Sequence, residues 1–488
     1  MLFDKIYPVT CHTDHVGPNS TFVVIKGFKE DGLRYIQTAI EKGATKIVLD
    51  QSHKEKILDQ VQEDKNQAPG NKKIEYIFVK DTRIALAELC AQALGSPATK
   101  LKFIGITGTS GKTTTTYLID YILRESGYKT ALLGSVKNRI LDQEEEITLT
   151  TQNSDYIQMF LAECVKKGVQ VVIMEVSSHG LALNRIHGIK FDVAGFTNLS
   201  PEHMDFHPTM DHYFQTKTKI FDYLKKDGLA VINTDNEWGF KAANILRDNN
   251  GNQNLKTITF GQTTPNSNLE FEKFELRQNS LHDLKIKFTK CNQIIQTKKL
   301  LGEFNGYNIA MAFLACKHFN IASDKIAQAI QKFVGVPGRM QCHTLKNGAQ
   351  AFVDFAHKPD AFEKVLKNLR PHTNNLIVVF GCGGNRDKTK RPVMGSSAAK
   401  YADLIIITDD NPRDEDRQII ANEIIAGIPK AKKAQTICIL DRKEAIEKAT
   451  SLATPNSIIA ILGKGHENYY LIQGKKYHFD DFEEISRF

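Results

Sequence analysis

A short glycine-rich loop carries the clearest chemistry in the sequence. Residues 104–116 read IGITGTSGKTTTT, and Ile106 stands where the usual phosphate loop, GxxxxGK[ST], has its first glycine. The loop is therefore a shortened GxxGKTT that begins at Gly108. Its backbone N–H groups and the following helix N-terminus can still bind nucleotide phosphates, with Lys112 at the β/γ end and the Thr113 hydroxyl on Mg²⁺. A purely structural glycine turn is the alternative.

Oxygen-bearing side chains follow the next apolar segments. Glu175 closes the apolar run VQVVIMEV, and the polar segment TNLSPEHMDFH (197–207) follows another apolar run. Because Mg²⁺ prefers oxygen ligands, Glu175 is a candidate metal ligand, although an ion pair at a strand end would use the same residue type. The histidines of residues 197–207 lack the HExxH spacing, so the sequence does not favour a zinc site.

These motifs require elements that bring the ends of several strands together. The apolar runs FIGIT, VQVVIMEV, FDVAGFTNL and LAVINTD, and later LIVVFG, DLIIIT and SIIAILG, alternate with helical patterns. Continuous apolar strands separated by helices predict an α/β fold with parallel sheets covered on both faces. In such sheets ligands bind at the carboxyl ends of the strands, where nearly every polar motif of this sequence lies.

The length of 488 residues predicts about three domains. Seams that contain glycine and proline occur at GSPATK and at GVPGRM. They divide the chain into a small N-terminal α/β domain (1–98), a central P-loop-type domain with a parallel sheet (99–335) and a C-terminal Rossmann-like domain (336–488). The charged stretch 53–73 is expected to form an exposed helix and loop within the first domain.

Composition and charge exclude several classes of protein. There are 64 Lys+Arg against 56 Asp+Glu, a net charge of +8 with no long basic tract, so we expect no nucleic-acid partner. The eight cysteines form no CxxC pair, which is typical of reduced thiols. The first residues do not read as a signal peptide, and no apolar run reaches about 18 residues. We therefore expect a cytoplasmic protein with no membrane partner. We also expect a monomer, although no feature of the sequence indicates the oligomeric state.

The order of motifs along the chain resembles that of the Mur ligase family. The matching segments are GTSGKTT, MEVSSHGL, TNLSPEHMDFH, YFQTK, INTDN, GEFNGYN, GVPGRM, VDFAHKPD, GCGGNRDKTKRP, TDDNPR and GKGHE, and they cover almost the whole chain. The resemblance implies an ATP-dependent ligase of cytoplasmic peptidoglycan precursor synthesis. In this family the γ-phosphate passes to a substrate carboxylate, and an amine attacks the acyl phosphate to form an amide.

The resemblance also assigns roles to individual residues. It implies that Lys112 and Lys217 are catalytic, and that CO₂ carbamylates Lys217, which turns a cation into an oxygen ligand for magnesium beside Thr113, Glu175 and His203. The residues implied to bind ATP are Gly108, Thr109, Ser110, Gly111, Lys112, Thr113, Thr114, Asn305, Arg339 and Asp354. Those implied to bind UDP-N-acetylmuramoyl-L-Ala-D-Glu are Thr13, Thr150, Thr151, Ser177 and Arg185.

The first domain departs from the family pattern DSRxVxPG. Here the stretch reads HTDHVGPN, with Thr13 in place of serine and Asp14 in place of arginine. Thr13 keeps a hydroxyl, but a carboxylate at Asp14 would repel the diphosphate of a UDP-sugar unless it points away. The uridine assignment therefore rests on the later motifs more than on this one.

The segment DLIIITDDNPRDED brings charged residues to the end of another predicted strand. An Asx-Pro turn alone would explain Asp410-Asn411-Pro412. However, Arg413 lies just beyond the turn and can bind a carboxylate through two hydrogen bonds, and Arg386 ends the neighbouring motif GCGGNRDK. Because Asp410 and Asn411 can bind an ammonium group, the set suits meso-diaminopimelate, which carries an ammonium and a carboxylate at its far end.

The resemblance agrees with this choice of amino acid. DNPR is similar to the motif of the family members that add diaminopimelate, and Gly463 and Glu467 of GKGHE are implied to hold the other end of the same substrate. Two alternatives remain. A sibling amide ligase, either lysine-adding or a folylpolyglutamate synthase, would differ from this chain at DNPR. A P-loop switch or motor would hydrolyse ATP without an added amino acid.

Overall fold

The chain divides into two compact units. The computed structural model describes residues 2–27, 30–55, 57, 74–147, 149–249, 255–263 and 269–488, so most of the predicted helix and loop at 53–73 lies outside the described residues. Unit 1 comprises Met1–Phe274, Thr289–Cys291 and Tyr307–Ala329, and unit 2 comprises Glu275–Phe288, Asn292–Gly306 and Ile330–Phe488. The division at 98/99 and 335/336 stays a prediction.

Unit 1 begins with a small parallel sheet in the order β1-β2-β3-β4. Its strands are β1 (Val9–Thr10), β2 (Thr21–Val23), β3 (Lys46–Asp50) and β4 (Glu75–Val79), and its helices are α1 (Ile36–Glu41) and α2 (Thr82–Ala93). Side chains alternate along a strand, so Ile47 and Leu49 of β3 join one apolar cluster while Val48 joins another. Both faces of the sheet are therefore covered.

A larger sheet follows in unit 1, in the order β13-β12-β11-β10-β5-β9-β6-β7-β8, and unit 1 includes its strand β13 only as far as Phe274. Its strands are β5 (Lys102–Thr107), β6 (Thr130–Leu133), β7 (Lys137–Ile140), β8 (Gln143–Glu146), β9 (Val171–Glu175), β10 (Phe191–Phe196), β11 (Leu224–Asn233), β12 (Lys256–Gly261) and β13 (Glu270–Ser280). The strands from β12 to β6 pair in parallel, whereas β6, β7 and β8 are antiparallel. Phe103, Ile104 and Ile106 of β5 are completely buried, as a continuous apolar strand predicts.

Helices complete the element order of the middle of the chain. They are α3 (Lys112–Glu125), α4 (Ser154–Lys166), α5 (Ser178–Ala182), α6 (Met210–Thr218), α7 (Glu237–Asn249), α8 (Phe304–Lys317) and α9 (Ser323–Lys332). Buried residues on α3 include Leu118, Ile119, Ile122 and Leu123, a helical spacing that gives one apolar face. The phosphate-binding loop lies between β5 and α3.

Unit 2 contains an antiparallel hairpin and a six-stranded sheet in the order β16-β17-β21-β18-β19-β20. The strands are β14 (Asp283–Phe288), β15 (Ile294–Thr297), β16 (Gln341–Thr344), β17 (Gln350–Asp354), β18 (Asn375–Phe380), β19 (Leu404–Ile407), β20 (Thr436–Cys438) and β21 (Ser457–Leu462), followed by the hairpin of β22 (Tyr469–Ile472) and β23 (Lys475–His478). The sheet is parallel apart from β16. Its helices are α10 (Pro359–Leu369), α11 (Lys390–Tyr401), α12 (Arg417–Ala426), α13 (Arg442–Leu452) and α14 (Asp481–Ile485).

The predicted α/β class with parallel sheets is confirmed. The antiparallel additions at β7–β8 and β22–β23 were not predicted, because short half-exposed strands lack the apolar runs on which the prediction depended. All eight cysteines are free thiols. Within the ranges given above, no helix has the length and apolar composition needed to cross a membrane.

A buried ion pair holds the end of the unit 2 sheet. Arg442 and Asp481 are both fully buried and bond through two contacts of 2.7 Å, from Nε to Oδ1 and from Nη2 to Oδ2. The same guanidinium donates to the carbonyl oxygens of Asp409 at 2.9 Å and Leu462 at 3.1 Å. It therefore joins the residues that follow β19 and end β21, which is where the predicted acceptor site lies.

Replacing Asp481 by alanine should destabilise unit 2. The Asp481→Ala variant leaves the Arg442 charge buried without its carboxylate, which costs about 3–5 kcal/mol of unfolding free energy. Urea denaturation followed by circular dichroism measures the change. The control is Asp360→Ala, whose exposed partner Lys364 lies 2.8 Å away, and which should change stability by less than about 1 kcal/mol. Equal effects of the two variants would contradict the prediction.

Candidate active site

The phosphate loop has two glycines that no other residue can replace without strain. Gly108 has a φ of 143° and Gly111 a φ of 86°. A Cβ atom at Gly108 would lie 1.9 Å from Oγ1 of Thr197, and one at Gly111 would lie 2.4 Å from Oδ1 of Asn308. Conformation and space thus both require the glycines that the shortened motif keeps. The loop leads into the first turn of α3, where backbone N–H groups can bind an anion.

A Thr-Asn pair at the end of β10 holds this loop. Asn198 Oδ1 accepts a hydrogen bond from the Ser110 N–H at 3.0 Å, and its Nδ2 donates to the Ser110 carbonyl at 3.1 Å. The Thr197 hydroxyl donates to the same carbonyl at 2.7 Å. The Thr109 N–H donates to the Asn198 carbonyl at 2.9 Å. Sequence reasoning missed both residues; the available signal is a polar pair directly after a strand that neighbours β5.

Two lysines converge on one carbonyl oxygen of the loop. Lys112 Nζ donates to the carbonyls of Gly108 and Thr109 at 2.8 and 2.9 Å, and Lys217 Nζ of α6 donates to the Gly108 carbonyl at 2.8 Å. Lys217 is 2% exposed, and its Nζ lies 4.9 Å from the centre of the Tyr213 ring. Burial, together with the charge of Lys112, lowers the pKa of Lys217 well below its ordinary value. The structure therefore brings both predicted catalytic lysines to the phosphate loop.

A buried carboxylate lies beside the start of α3. Glu175 ends β9, and its Oε2 accepts from the hydroxyls of Thr113 at 3.0 Å and Ser135 at 2.9 Å. Its Oε1 accepts from the Ser135 N–H at 2.7 Å. Ser135, just after β6, was missed by sequence reasoning, although a Gly-Ser pair at a strand end is a recognisable signal. The hydroxyl and carboxylate oxygens of this group fit the ligand preference of Mg²⁺.

His203 lies in a group of aromatic rings near the two lysines. Its Nε2 is 2.8 Å from Oε1 of Glu202, and its ring centre is 4.9 Å from that of His179. Burial lowers the pKa of His203 to about 4, and the charges of Lys217 and Lys112 act in the same direction, so the imidazole is neutral at neutral pH. Across the described part of the chain, no group of three His, Cys, Asp or Glu side chains is arranged to hold a metal ion.

The remaining candidates of the larger unit 1 sheet are Thr150, Thr151, Ser177 and Arg185. The Thr151 hydroxyl donates to the Glu175 carbonyl at 2.9 Å and accepts from the Ser177 N–H at 3.0 Å. Arg185 Nη1 donates to the Thr151 carbonyl at 2.8 Å, while its buried Nε has no hydrogen-bond partner. Thr151 and Ser177 therefore adjoin the backbone of Glu175, while Thr150 Oγ1 accepts from the Ser135 hydroxyl at 3.1 Å. Arg185 keeps a buried donor that an anionic substrate group can use.

Thr13 and Asp14 lie in a single turn of 3-10 helix near Lys42. Lys42 Nζ donates to the Thr13 carbonyl at 3.0 Å and lies 3.5 Å from Oδ1 of Asp14. The Asp14 side chain is 63% exposed. The lysine therefore offsets part of the charge of the carboxylate that stands where the family pattern has arginine.

Three candidates for nucleotide binding belong to unit 2. Asn305 Nδ2 donates to a backbone carbonyl at 2.7 Å near the start of α8. The Arg339 guanidinium lies 4.7 Å from the centre of the Phe355 ring, and the Asp354 carboxylate at the end of β17 accepts from two backbone N–H groups at 2.7 and 2.8 Å. Burial raises the pKa of Asp354, and the charge of Arg339 opposes that shift. Arg339 and Asp354 are therefore electrostatically coupled.

The DNPR segment follows β19 in unit 2. Arg413 has a φ of 55°, and its Nη1 donates to the carbonyls of Gly384 at 2.8 Å and Asn411 at 3.3 Å. A Cβ atom at Gly383 would lie 2.8 Å from Nη1 of Arg413 and 3.7 Å from Cγ of Arg386. Both arginines therefore border the same glycine, and Arg386 is exposed.

DNPR and GKGHE form one cluster. Asn411 Nδ2 donates to Oε2 of Glu467 at 2.7 Å, and Asn411 Oδ1 accepts from the Leu471 N–H at 2.8 Å. Gly463 has a φ of 116°, and a Cβ there would lie 2.8 Å from Oδ2 of Asp410. Pro412, also predicted, is buried in the same segment. The Asn411 carboxamide is thus already bonded within the cluster, which favours a supporting role over direct contact with an ammonium group.

A phosphate loop at the carboxyl edge of a parallel sheet, with buried lysines and a buried carboxylate, defines an α/β enzyme that acts on a nucleotide. Three family models match the sequence: the Mur ligase family, catalytic domain at residues 5–93, the Mur ligase middle domain at 106–316, and the Mur ligase, glutamate ligase domain at 338–465. The chain belongs to the Mur ligase family and is an ATP-dependent amide ligase, as its motifs predicted.

Full-length relatives and solved structures are similar to the chain. The UDP-N-acetylmuramoyl-L-alanyl-D-glutamate--2,6-diaminopimelate ligases of Clostridium tetani and Aquifex aeolicus are each 37% identical, over 96% and 99% of this chain and 92% and 94% of theirs. A solved structure with that ligase name has a TM-score of 0.66 at 28% identity, covering 99% of this chain and 94% of the other. MurF ligase from Thermotoga maritima in complex with ADP, 17% identical with a TM-score of 0.63 over 94% of both chains, shares the fold.

Lys112→Ala should lower kcat for ATP-dependent ligation by about 100-fold or more, because the loop loses the cation at the β/γ-phosphates. Release of inorganic phosphate with all substrates present measures the effect, and thermal unfolding verifies the fold. Arg124→Ala, at the exposed end of the same helix, is the control and should keep normal activity. Near-normal turnover of Lys112→Ala would show that the loop assignment is wrong.

Proposed function

We propose that this chain joins meso-diaminopimelate to UDP-N-acetylmuramoyl-L-alanyl-D-glutamate in peptidoglycan precursor synthesis, with ATP as the energy source. The observation that carries the proposal is the cluster of Asp410, Arg413 and Glu467, which offers both signs of charge to an amino acid. The names of the relatives from Clostridium tetani and Aquifex aeolicus support the same reaction. We further propose that residues 1–98 bind the UDP substrate, 99–335 bind ATP and 336–488 bind the amino acid.

The reaction begins with phosphoryl transfer to the dipeptide substrate. A carboxylate oxygen of the substrate forms a bond to the γ-phosphorus while the bond to the β-bridging oxygen breaks, and ADP leaves. Negative charge develops on the leaving phosphates during this step. The Lys112 ammonium can stabilise that charge, because it already lies against the loop carbonyls. Thr113 and Glu175 would hold Mg²⁺ through their oxygen atoms, and the ion would supply further positive charge at the phosphates when bound.

The acyl phosphate is then open to attack by the amine. The amine nitrogen forms a bond to the carbonyl carbon, the bond to the phosphate oxygen breaks, and the nitrogen releases a proton. Phosphate is a far better leaving group than oxide, which is why the carboxylate needs activation. The amine must be unprotonated when it attacks, so the acceptor site has to hold the substrate by its other charged groups.

The acceptor residues favour diaminopimelate over lysine. The guanidinium of Arg413, beside Arg386, is the group that would bind a distal carboxylate, and Asp410 with Glu467 would bind an ammonium. Lysine has no distal carboxylate, so it would leave the arginine without its ionic partner. Gly463 leaves room beside Asp410 that a side chain would fill.

Recognition of the UDP substrate is proposed to involve Thr13, Thr150, Thr151, Ser177 and Arg185. The buried, unpartnered Nε of Arg185 supports an anionic contact. The Asp14 carboxylate of the first-domain motif would repel the diphosphate of the substrate. Lys42 weakens this repulsion, because it brings a positive charge next to the carboxylate.

Lys217 is proposed to carry a carbamate, formed when its neutral amine attacks the carbon of CO₂ and loses a proton. Two observations support the modification: the side chain is buried, and it shares a carbonyl oxygen with a second lysine, an arrangement that disfavours two ammonium groups. The resulting anion would act as a magnesium ligand with Thr113, Glu175 and the neutral His203.

The amino-acid preference tests the proposed function. The unmodified enzyme should use meso-diaminopimelate with a kcat/KM at least about 100-fold above that for L-lysine, because one ionic contact in a closed site is worth about 3 kcal/mol. Ligation with UDP-N-acetylmuramoyl-L-alanyl-D-glutamate, followed by chromatography of the product, measures both. Equal use of the two amino acids would favour a sibling ligase, and ATP turnover that ignores every amino acid would favour a switch. In Arg413→Ala the preference should largely disappear, whereas Arg487→Ala, an exposed arginine of the same unit, should retain it.

Lys217→Ala should be nearly inactive, with a loss of about 100-fold or more, because the site loses an anionic oxygen ligand. A short carboxylic acid such as acetate should restore part of the activity by supplying carboxylate oxygens to the vacated space. The control is Lys219→Ala, an exposed lysine of the next turn, which should behave normally and show no response to acetate. Intact-mass analysis under CO₂ tests the modification directly, and a bare amine in the active enzyme would rule the carbamate out.

A further inference from the structure

A second buried lysine lies in the acceptor cluster of unit 2, at a position that the proposed reaction has not used. Lys464 of GKGHE is 0% exposed. Its Nζ donates to the Tyr469 carbonyl, lies 3.4 Å from Oδ1 of Asn411 and lies 3.7 Å from Oε2 of Glu467. The rings of Tyr469 and Tyr470 are centred 5.6 and 4.9 Å from the same nitrogen. The side chain is therefore held at one place, in contact with two residues of the predicted acceptor site.

The surroundings of Lys464 match an ammonium rather than an amine. An ammonium has three N–H donors, and three oxygen acceptors face it, namely a carbonyl, a carboxamide oxygen and a carboxylate. Burial lowers the pKa of Lys464, while the charges of Asp410 and Glu467 act in the opposite direction. The aromatic faces add attraction for a cation.

The ammonium of Lys464 stabilises the two neighbouring carboxylates, Asp410 and Glu467, in their charged form. Asp410 is buried and the Glu467 side chain is 21% exposed, and two like charges in a largely desolvated site favour protonation of one of them. Burial and the charge of Asp410 raise the pKa of Glu467, and the charge of Lys464, the hydrogen bond from Asn411 and the charge of Arg413 oppose that rise. A protonated Glu467 would lose its negative charge and part of its capacity to accept hydrogen bonds from a substrate ammonium.

We propose that Lys464 is a positioning residue for the acceptor amino acid, which fixes the Asn411–Glu467 pair and keeps Glu467 a carboxylate. The inference rests on the proposed function, because it assigns the acceptor ammonium to Glu467 and Asp410. Lys464 itself does not touch the substrate; it acts through Glu467, which its ammonium approaches from the side of the β22–β23 hairpin. The sequence alone does not predict this role, because Lys464 appears there only as a cation in a glycine-rich motif.

The test is Lys464→Met, which keeps the length of the side chain and removes its charge. The KM for meso-diaminopimelate should rise about 10-fold or more, while the KM values for ATP and the UDP substrate stay within about 2-fold. Without the cation the pKa of Glu467 rises, so the acidic limb of the pH profile of kcat/KM for diaminopimelate should move to higher pH. Steady-state ligation assays from about pH 6 to 9 measure both quantities.

Three further variants make the test specific. Lys464→Gln keeps two donors for the Asn411 and Tyr469 oxygens but has no charge, so it should show the same pH shift if Lys464→Met does not fold. Lys476→Met removes an exposed ammonium 4.3 Å from the centre of the same Tyr469 ring and should change nothing. In a Glu467→Gln background, Lys464→Gln should raise the KM by less than about 2-fold further, because the group through which it acts is already neutral.

The outcomes separate the two proposals. If the unmodified enzyme ligates diaminopimelate, but Lys464→Met and Lys464→Gln fold and keep its KM and pH profile, the role of Lys464 is overturned and the proposed function stands. Unfolding of both variants also overturns it, because Lys464 would then serve the fold. If the unmodified enzyme ligates no diaminopimelate at all, the proposed function fails and the acceptor role of Lys464 fails with it.

Discussion

The carbonyl oxygen of Gly108 is the point on which the phosphate site depends, because two lysine side chains donate to it. Lys112 reaches it from the start of α3 and Lys217 from α6, at 2.8 Å in both cases. Two ammonium groups so close together repel each other, and burial of Lys217 makes the repulsion stronger. The site is therefore stabilised by added negative charge, which phosphates or a carbamate would supply.

Several features around this carbonyl keep the loop in one conformation. Positive φ angles at Gly108 and Gly111 set the path of the backbone, and the Thr197–Asn198 pair binds Ser110 from the neighbouring strand. Because these contacts hold the loop backbone, its N–H groups lose little conformational freedom when a nucleotide binds. Buried apolar residues anchor strand β5 before the loop and helix α3 after it, and their burial offsets the conformational entropy that the fixed loop loses.

The proposed acceptor cluster of unit 2 also brings like charges close together, and there the charges are negative. Here Asp410 and Glu467 are the like charges, and the buried Lys464 lies against Glu467 at 3.7 Å. The Arg442–Asp481 pair holds the strand ends on which the cluster is built. In both units, buried groups of like charge lie beside a backbone segment, and contacts from neighbouring elements hold that segment in place. An ionic substrate of the opposite charge can neutralise such groups.

The α/β class, the position of the phosphate loop and the family could all be predicted from the amino-acid sequence, because apolar runs, glycine spacing and motif order are local properties of the chain. The same patterns identified Lys112, Lys217, Glu175 and Arg413 as candidates. Three contacts became visible only in the folded chain: two lysines share one carbonyl, Ser135 and Asn198 support the site, and Asn411 is bonded to Glu467. Those contacts join residues far apart in the chain, and their distances depend on strand order and burial, which no local pattern encodes.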